Sequence, residues 1–193
     1  MQQALGKQWD ELDPIIRKMY DLPVKTTTKL DVEGTMSVDY PWAIYPMVMA
    51  GKIFGAMIEK RGTGIKGSVY RSSRIDSNAL FWHRILIYPD GKQCSFKSRM
   101  EFDGEGQLIE YVRFGLGLRL TLTVKKGCLI YQSQGYTWRP LRRWLTIPDW
   151  MLYGKALITE TPISENQITL DFTMQHPLYG KTYQYKGIFQ LFL

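Results

Sequence analysis

Residues 116–125 read LGLRLTLTVK. Leu116, Leu118, Leu120, Leu122 and Val124 alternate with Gly117, Arg119, Thr121, Thr123 and Lys125. A strict period of two puts the five aliphatic side chains on one face of a strand and the polar ones on the other. One face is then in a core and the other in water, the situation that antiparallel sheets provide. The same period runs outward from this segment. Gly67–Arg74, Leu80–Tyr88, Gln93–Phe102 and Gln107–Phe114 precede it as expected strands, with Thr27–Asp39 ahead of them. Cys128–Trp138, Lys155–Thr161, Gln167–Met174 and Thr182–Leu191 follow. The connections at Pro89-Asp90-Gly91, Gly104–Gly106, Lys126-Gly127, Ser164-Glu165-Asn166 and Pro177–Gly180 are rich in turn residues. They are too short for a crossover, so successive strands must be antiparallel.

Three segments break the pattern. Lys7–Tyr20 carries Trp9, Leu12, Ile15, Ile16 and Met19 at helical spacing, and Pro23 is expected to end that helix. Pro41–Ile58 is strongly apolar. Lys52 and Pro46 interrupt it, and it sits at the short end of what spans a bilayer. It reads as a buried helix covering a sheet, with Gly51 and Gly55 allowing close backbone approach. Arg61–Gly64 is expected to be a turn. Arg139–Tyr153 breaks the strand pattern, and its prolines, Pro140 and Pro148, suggest a short helix with flanking loop. The expected fold is therefore one α+β domain over residues 1–193, mainly antiparallel β. Its single long sheet of about nine or ten strands curls around a helix or closes into a barrel-like shape. An N-terminal helix, an apolar helix near 41–59 and a short helix near 141–152 accompany it.

The chain has 193 residues, with 45% hydrophobic and 22% charged side chains, which excludes a disordered chain. Two cysteines, Cys94 and Cys128, build neither a disulfide framework nor a Cys-based zinc site. With no basic, apolar leader at the start, they are expected as free thiols in the cytoplasm. The charge is +7, from 25 Lys+Arg against 18 Asp+Glu. Such a balance raises nucleic acid as a partner. The basic residues are scattered, however, and no recognition helix or RNA-binding strand motif is present, so that reading is disfavoured. No phosphate-cradling glycine loop occurs: Gly62-Thr63-Gly64 lacks the remaining glycines and the lysine, and the GLG at 115–117 runs into a strand. His83 and His176 have no metal-ligand spacing. No cofactor and no metal are expected.

Two polar features stand out. On Leu80–Tyr88, Leu80, Trp82, Arg84, Leu86 and Tyr88 share one face, and Phe81, His83, Ile85 and Ile87 the other. Both faces are largely apolar, so either Arg84 or His83 points into an interior. A buried guanidinium needs an acceptor. Glu110, among Leu108, Val112 and Phe114, is the natural one. Either the two form an internal ion pair, or Arg84, with Arg99 or Arg113, offers a positive group to an anionic head in a cavity. The second feature is the stretch 136–153, YTWRPLRRWLTIPDWMLY. Aromatic rings with polar edges alternate there with arginines, a mixture suited to a lid over a pocket or to an anionic membrane surface. Arg139, Arg142, Arg143 and Trp144 would make that contact, at the inner face of the membrane.

The order of FWHR (81–84), FKS (96–98), EYVRFG (110–115), RPLRRWLTIPDW (139–150) and HPLYG (176–180) with YQYKGIF (183–189) resembles the bacterial domain-of-unknown-function family 4166. LDPIIRKMYD (12–21) is similar to that family's opening helix. The chain departs at Arg139-Pro140-Leu141, where a more apolar run is typical, and at Leu116, where proline is common. The resemblance implies no established activity. Members stand alone or are joined to oxidoreductase-like or membrane domains, which implies an accessory or sensing role. Its recurrent positions fall on Arg84, Ser98, Glu110, Tyr185, Gly115, Gly180 and Gly187.

The leading expectation is a domain that binds an apolar or amphipathic, lipid-like small molecule in a pocket lined by Trp82, Arg84, Ser98, Glu110, Tyr136, Trp138 and Tyr185. No chemistry is required of these residues. The alternatives are an enzyme acting on such a ligand with Glu110 or His83 as general base, and a module that binds a protein or membrane surface.

Overall fold

The computed structural model describes residues 1–21, 30–74, 77–104, 106–138 and 145–192. The strands are β1 (Leu30–Asp39), β2 (Gly62–Arg74), β3 (Ser77–Ile87), β4 (Gln93–Phe102), β5 (Gln107–Tyr111), β6 (Leu116–Lys125), β7 (Cys128–Trp138), β8 (Leu145–Ile147), β9 (Lys155–Ser164), β10 (Gln167–His176) and β11 (Gly180–Phe192). The helices are α1 (Gln2–Leu5), α2 (Pro14–Tyr20) and α3 (Tyr45–Phe54). All eleven strands form one antiparallel sheet, in the order β6-β5-β4-β3-β2-β1-β11-β10-β9-β7-β8. A further pairing of β6 with β7 returns the sheet to its start and leaves a ten-stranded closed barrel with β8 outside it. Antiparallel pairing all the way round requires an even number of strands, so β8 is necessarily external. It pairs with the last residues of β7, Tyr136–Trp138, where β9 has already left that edge.

The alternation of Leu116–Lys125 is the inside–outside pattern of β6. Leu116 and Leu120 are buried, and Leu118 and Leu122 pack against the core. Opposite it, β7 changes phase. Leu118 faces Tyr136 but Leu120 faces Ser133, so β7 holds one extra residue at Gln134-Gly135. Gly135 has φ 93, a value glycine adopts without strain. The bulge moves the inward phase from Leu129, Tyr131 and Ser133 to Tyr136.

Helical segments close both ends. Ile15, Ile16, Met19 and Tyr20 of α2 are all buried at the end where β1 starts and β6 turns into β7. Asp13 caps α2 by accepting from the Ile15 N–H at 3.0 Å, and its own N–H donates to the Gly127 carbonyl of the β6–β7 turn at 3.1 Å. At the opposite end α3 terminates at Gly55, φ 70, and the following residues enter the barrel mouth. The Tyr183 hydroxyl holds Ile58 there, accepting from its N–H at 3.1 Å and lying 3.2 Å from its carbonyl.

Several sequence expectations need correction. The helix expected over Lys7–Tyr20 is instead a 3-10 segment at Gly6–Glu11 followed by α2, with α1 ahead of both. Pro14 disfavours a helical Asp13, and Leu12 is extended. Pro23 lies outside the described residues. The Arg61–Gly64 turn is instead the start of β2, with a bulge at Gly64 where the β1 register shifts. The end of the expected Gln107–Phe114 strand is a 3-10 turn at Arg113–Gly115, with Phe114 at φ 58. The short helix near 141–152 is, over its described part, the strand β8 and a 3-10 turn at Asp149–Met151. The apolar helix is present but ten residues long, and no helix among the described residues is long and apolar enough to cross a membrane. Gly51 explains its small residues. A Cβ there would lie 2.4 Å from Met57 Cγ and 2.6 Å from the Tyr153 hydroxyl.

Closure rests on β1 against β11, which pair from Asp31↔Phe192 to Asp39↔Gln184. Gly34 sits in this seam, and a Cβ on it would lie 2.1 Å from the Ile188 carbonyl oxygen and 2.6 Å from a Phe189 ring carbon. G34V is therefore expected to force the seam apart, lowering the thermal midpoint and increasing amide exchange in β1 and β11 before the other strands. Uniform exchange with an unchanged midpoint would contradict the seam's role.

Candidate functional site

The barrel interior is not completely filled. Two adjoining chambers each leave about 80 Å3 in which the centre of a water molecule can move. One water needs only about 10–15 Å3 by this measure, so each chamber has room for more than a single small molecule of that size. The first lies toward α2 and is lined by Met19, Tyr20, Trp82, Met100, Tyr131 and Glu160, among others. The second lies toward α3, against Ala56, Met57, Leu116, Tyr136, Tyr153 and Tyr183. Both are bounded by Ile58, Arg84, Phe96, Glu110, Ile158 and Tyr185, which form a waist between them.

The polar part of the waist comes from three consecutive strands. Arg84 of β3 is in register with Phe96 of β4, and Glu110 of β5 with Met100. Ser98 stands between Phe96 and Met100 on the same face. The three side chains thus run diagonally across the inner wall, within reach of long side chains. Arg84 Nη1 donates to Ser98 Oγ at 2.8 Å and Nη2 to Glu110 Oε1 at 3.1 Å, and Ser98 Oγ donates to the same oxygen at 2.6 Å. The guanidinium carbon lies 4.9 Å from the Trp82 ring centre and 5.1 Å from that of Phe96. Burial works against the Arg84 charge, yet Glu110 and the nearby tyrosines hold its pKa above the ordinary value. Tyr185 stacks on Phe172 with centroids 4.7 Å apart, and burial pushes its hydroxyl pKa upward.

A second polar cluster lies at the α2 end of the first chamber. The Tyr20 hydroxyl donates to Glu160 Oε1 at 2.6 Å, and Tyr131 donates to the Tyr20 oxygen at 2.6 Å. Arg71, with no exposed surface, donates through Nη1 to the Met19 carbonyl and lies against the Tyr20 and Trp82 rings. Burial pushes the Glu160 pKa up to about 7, although Tyr20, Arg71 and Tyr131 oppose it. Burial also lowers the Arg71 pKa.

Of the seven residues expected to line a pocket, Arg84, Glu110 and Tyr185 face both chambers, Trp82 the first, and Ser98 and Tyr136 the second. Trp138 lines neither. It is the last residue of β7, at the rim, where its Nε1 donates to the Phe114 carbonyl at 3.1 Å beneath Phe54. His83 is on the outer face of β3, beside Tyr70, so it is no base for a ligand inside. Arg99 also faces outward, paired with Glu101 at 2.9 Å, and Arg113 is exposed beside Gly55. His176 holds a turn, accepting from the Leu178 N–H at 3.1 Å and contacting the Trp150 carbonyl at 2.7 Å. Cys94 and Cys128 are free and half-buried. No metal-binding cluster occurs among the described residues. Arg139, Arg142, Arg143 and Trp144 lie outside them.

Sequence reasoning missed Arg71, Glu160 and their tyrosines. The signal was present. Glu160 shares the phase of Ala156 and Ile158, and Arg71 that of Val69. A charge in an inward phase was read only at Arg84 and Glu110.

A family model described as a domain of unknown function (DUF4166) matches residues 12–189. The chain belongs to this family. The match takes in α2, the strands β1 to β10, most of β11 and both polar clusters of the DUF4166 domain. No curated protein matches the chain.

The raised pKa of Glu160 has a thermodynamic consequence. Between about pH 4.5 and pH 7 the folded state holds a proton that the unfolded state has released. The domain should gain stability as pH falls through 7 toward 4.5, by a few kcal/mol. E160Q should flatten this gain. Urea midpoints for both proteins across that range test it, and parallel profiles would contradict the assignment.

Proposed function

We propose that this domain binds a compact apolar or amphipathic small molecule inside the barrel, lying along a polar waist that directs it. The observation that carries this reading is the Arg84–Ser98–Glu110 centre: Arg84 and Glu110 border both chambers and Ser98 the second, among mostly apolar walls. An apolar barrel gains nothing in stability from such a group. Replacing an internal ion pair by well-packed hydrophobic residues is often neutral or favourable by roughly 1–4 kcal/mol. A polar centre beside open volume is the usual arrangement of a small-molecule site, apolar walls with a few directing groups. Arg84 uses two of its five N–H donors here, so donors remain for a ligand.

Native mass spectrometry of the purified protein, before and after organic extraction, tests the reading. A bound molecule is expected. R84L/E110L removes both charges together, leaving neither ion unpaired, and is expected to fold but lose the bound molecule. An empty wild-type protein that also takes up no amphiphile would overturn the proposal.

A membrane surface is a second reading, for the source of such a ligand. Trp42 and Leu178, 78% and 80% exposed, lie at the α3 end with exposed Ile53, Phe114, Trp150 and Met151. Phe114 meets Phe54 edge-on, and His176 links Trp150 to Leu178, so these side chains belong to neighbouring connections. Arg113, Lys155 and Lys181 are exposed at the same end. Apolar rings with cations favour an anionic bilayer. Co-sedimentation with vesicles containing anionic lipid is expected, and W42S/L178S should reduce it. Equal sedimentation with and without anionic lipid would remove this reading.

A further inference from the structure

The buried polar atoms of the barrel are unevenly satisfied. Arg71 Nε and Nη2, Trp82 Nε1 and Glu160 Oε2 have no hydrogen-bond partner. All are buried, and all belong to one neighbourhood. The Arg71 guanidinium carbon lies 5.7 Å from the Tyr20 ring centre and 5.4 Å from that of Trp82. Those two rings are 6.1 Å apart, and the Tyr20 hydroxyl is on Glu160. Buried polar groups in folded proteins are paired in roughly nine cases in ten, so several unpaired ones beside one chamber call for a missing partner.

The unpaired atoms describe that partner. Nε and Nη2 are the two parallel N–H groups on the side edge of a guanidinium, and this edge matches two oxygens of a carboxylate. The Trp82 N–H adds a third donor. Glu160 is held on one oxygen by Tyr20, which leaves Oε2 to carry a proton and donate it. Arg84, by contrast, is already neutralised by Glu110.

We propose that the ligand is a carboxylic acid whose carboxylate is received at the α2 end of the first chamber by Arg71 and Trp82, with protonated Glu160 donating to it. Its apolar body then runs past the waist toward the second chamber. This rests on the reading of the barrel as a binding cavity. Arg71 lies just behind the chamber wall. Met19 and Met100 line that wall, and their unbranched side chains make room by rotation.

Proton linkage follows. A carboxylate beside Glu160 favours its protonated form, so binding takes up a proton and weakens as pH rises through about 7. The groups facing Glu160 are Tyr20 of α2, Arg71 of β2, Arg84 of β3 and Tyr131 of β7. Glu110 and Tyr185 stand farther along the cavity. The tyrosine pKa values are raised by burial and the arginines remain charged, so Glu160 is the group that titrates near neutrality.

Calorimetric titration of the delipidated protein with octanoate and with 1-octanol, at about pH 6 and pH 8, separates the cases. Octanoate should bind more tightly at the lower pH, and octanol equally at both. R71M should weaken octanoate by about tenfold or more and spare octanol. E160Q, which keeps the shape of a neutral carboxyl, should retain octanoate binding and abolish its pH dependence. This second variant covers failure of R71M to fold. If octanol binds and octanoate shows neither the pH effect in wild type nor its loss in E160Q, the carboxylate site is wrong while the cavity reading stands. Equal weakening of both ligands in R71M, as a water-filled site would give, also overturns it. If neither compound binds, the cavity reading itself fails.

Discussion

The pairing of β1 with β11 turns a long meander into a barrel, and the interior exists only because that seam closes. An open sheet of ten twisted strands would have two edges and one inner face to cover with helices. Closure removes the edges. It also gives the inner side chains a fixed volume to fill, and at ten strands that volume is larger than the aliphatic residues supply. Gly34, Gly67 and Gly187 lie at the seam where β1, β2 and β11 are pressed together, and there is no room for a Cβ at Gly34 or Gly187. The helices then act as stoppers. α2 fills one mouth and the segment after α3 the other.

Inside this enclosure the balance of forces runs against the polar residues. Two arginines and two glutamates have been taken from water into a chamber walled by Val, Ile, Leu, Met and aromatic rings. The waist solves its desolvation internally, with every contact among Arg84, Ser98 and Glu110 within 3.1 Å. The α2 end does not. There Glu160 responds by holding its proton near neutrality, and Arg71, which has no such recourse, is left with its side edge unpaired. The difference between a satisfied pair and an unsatisfied one is what separates the proposed directing group at the waist from the proposed receptor at the end.

The strand pattern was largely legible because a half-buried strand writes its burial into every second residue. β3, β4, β6 and β10 start within a few residues of where the alternation places them. The curled or barrel-like sheet that the strand count implies is present as a closed barrel, but which strands close it was not legible. Pairing of the first strand with the last leaves no local trace. The bulge at Gly135 was missed for a similar reason: one extra residue changes which side chains face inward without changing composition. Arg84, Ser98 and Glu110 could be grouped because each interrupts an apolar face, whereas Tyr20 reaches Glu160 across 140 positions in sequence from another element. Trp138 stands at the rim, outside both chambers, and phase alone does not say how far along a barrel a side chain stands.

We propose the barrel as a container, with a waist and a receptor end. A crystal structure of the protein as purified, without added ligand, tests it most directly. The expected result is continuous non-protein density inside the barrel, running from Arg84 toward Trp82 and Arg71, as a bound molecule. An interior in which Tyr185, Trp82 and Met100 have closed over both chambers, with Arg71 bonded directly to Glu160, would contradict it.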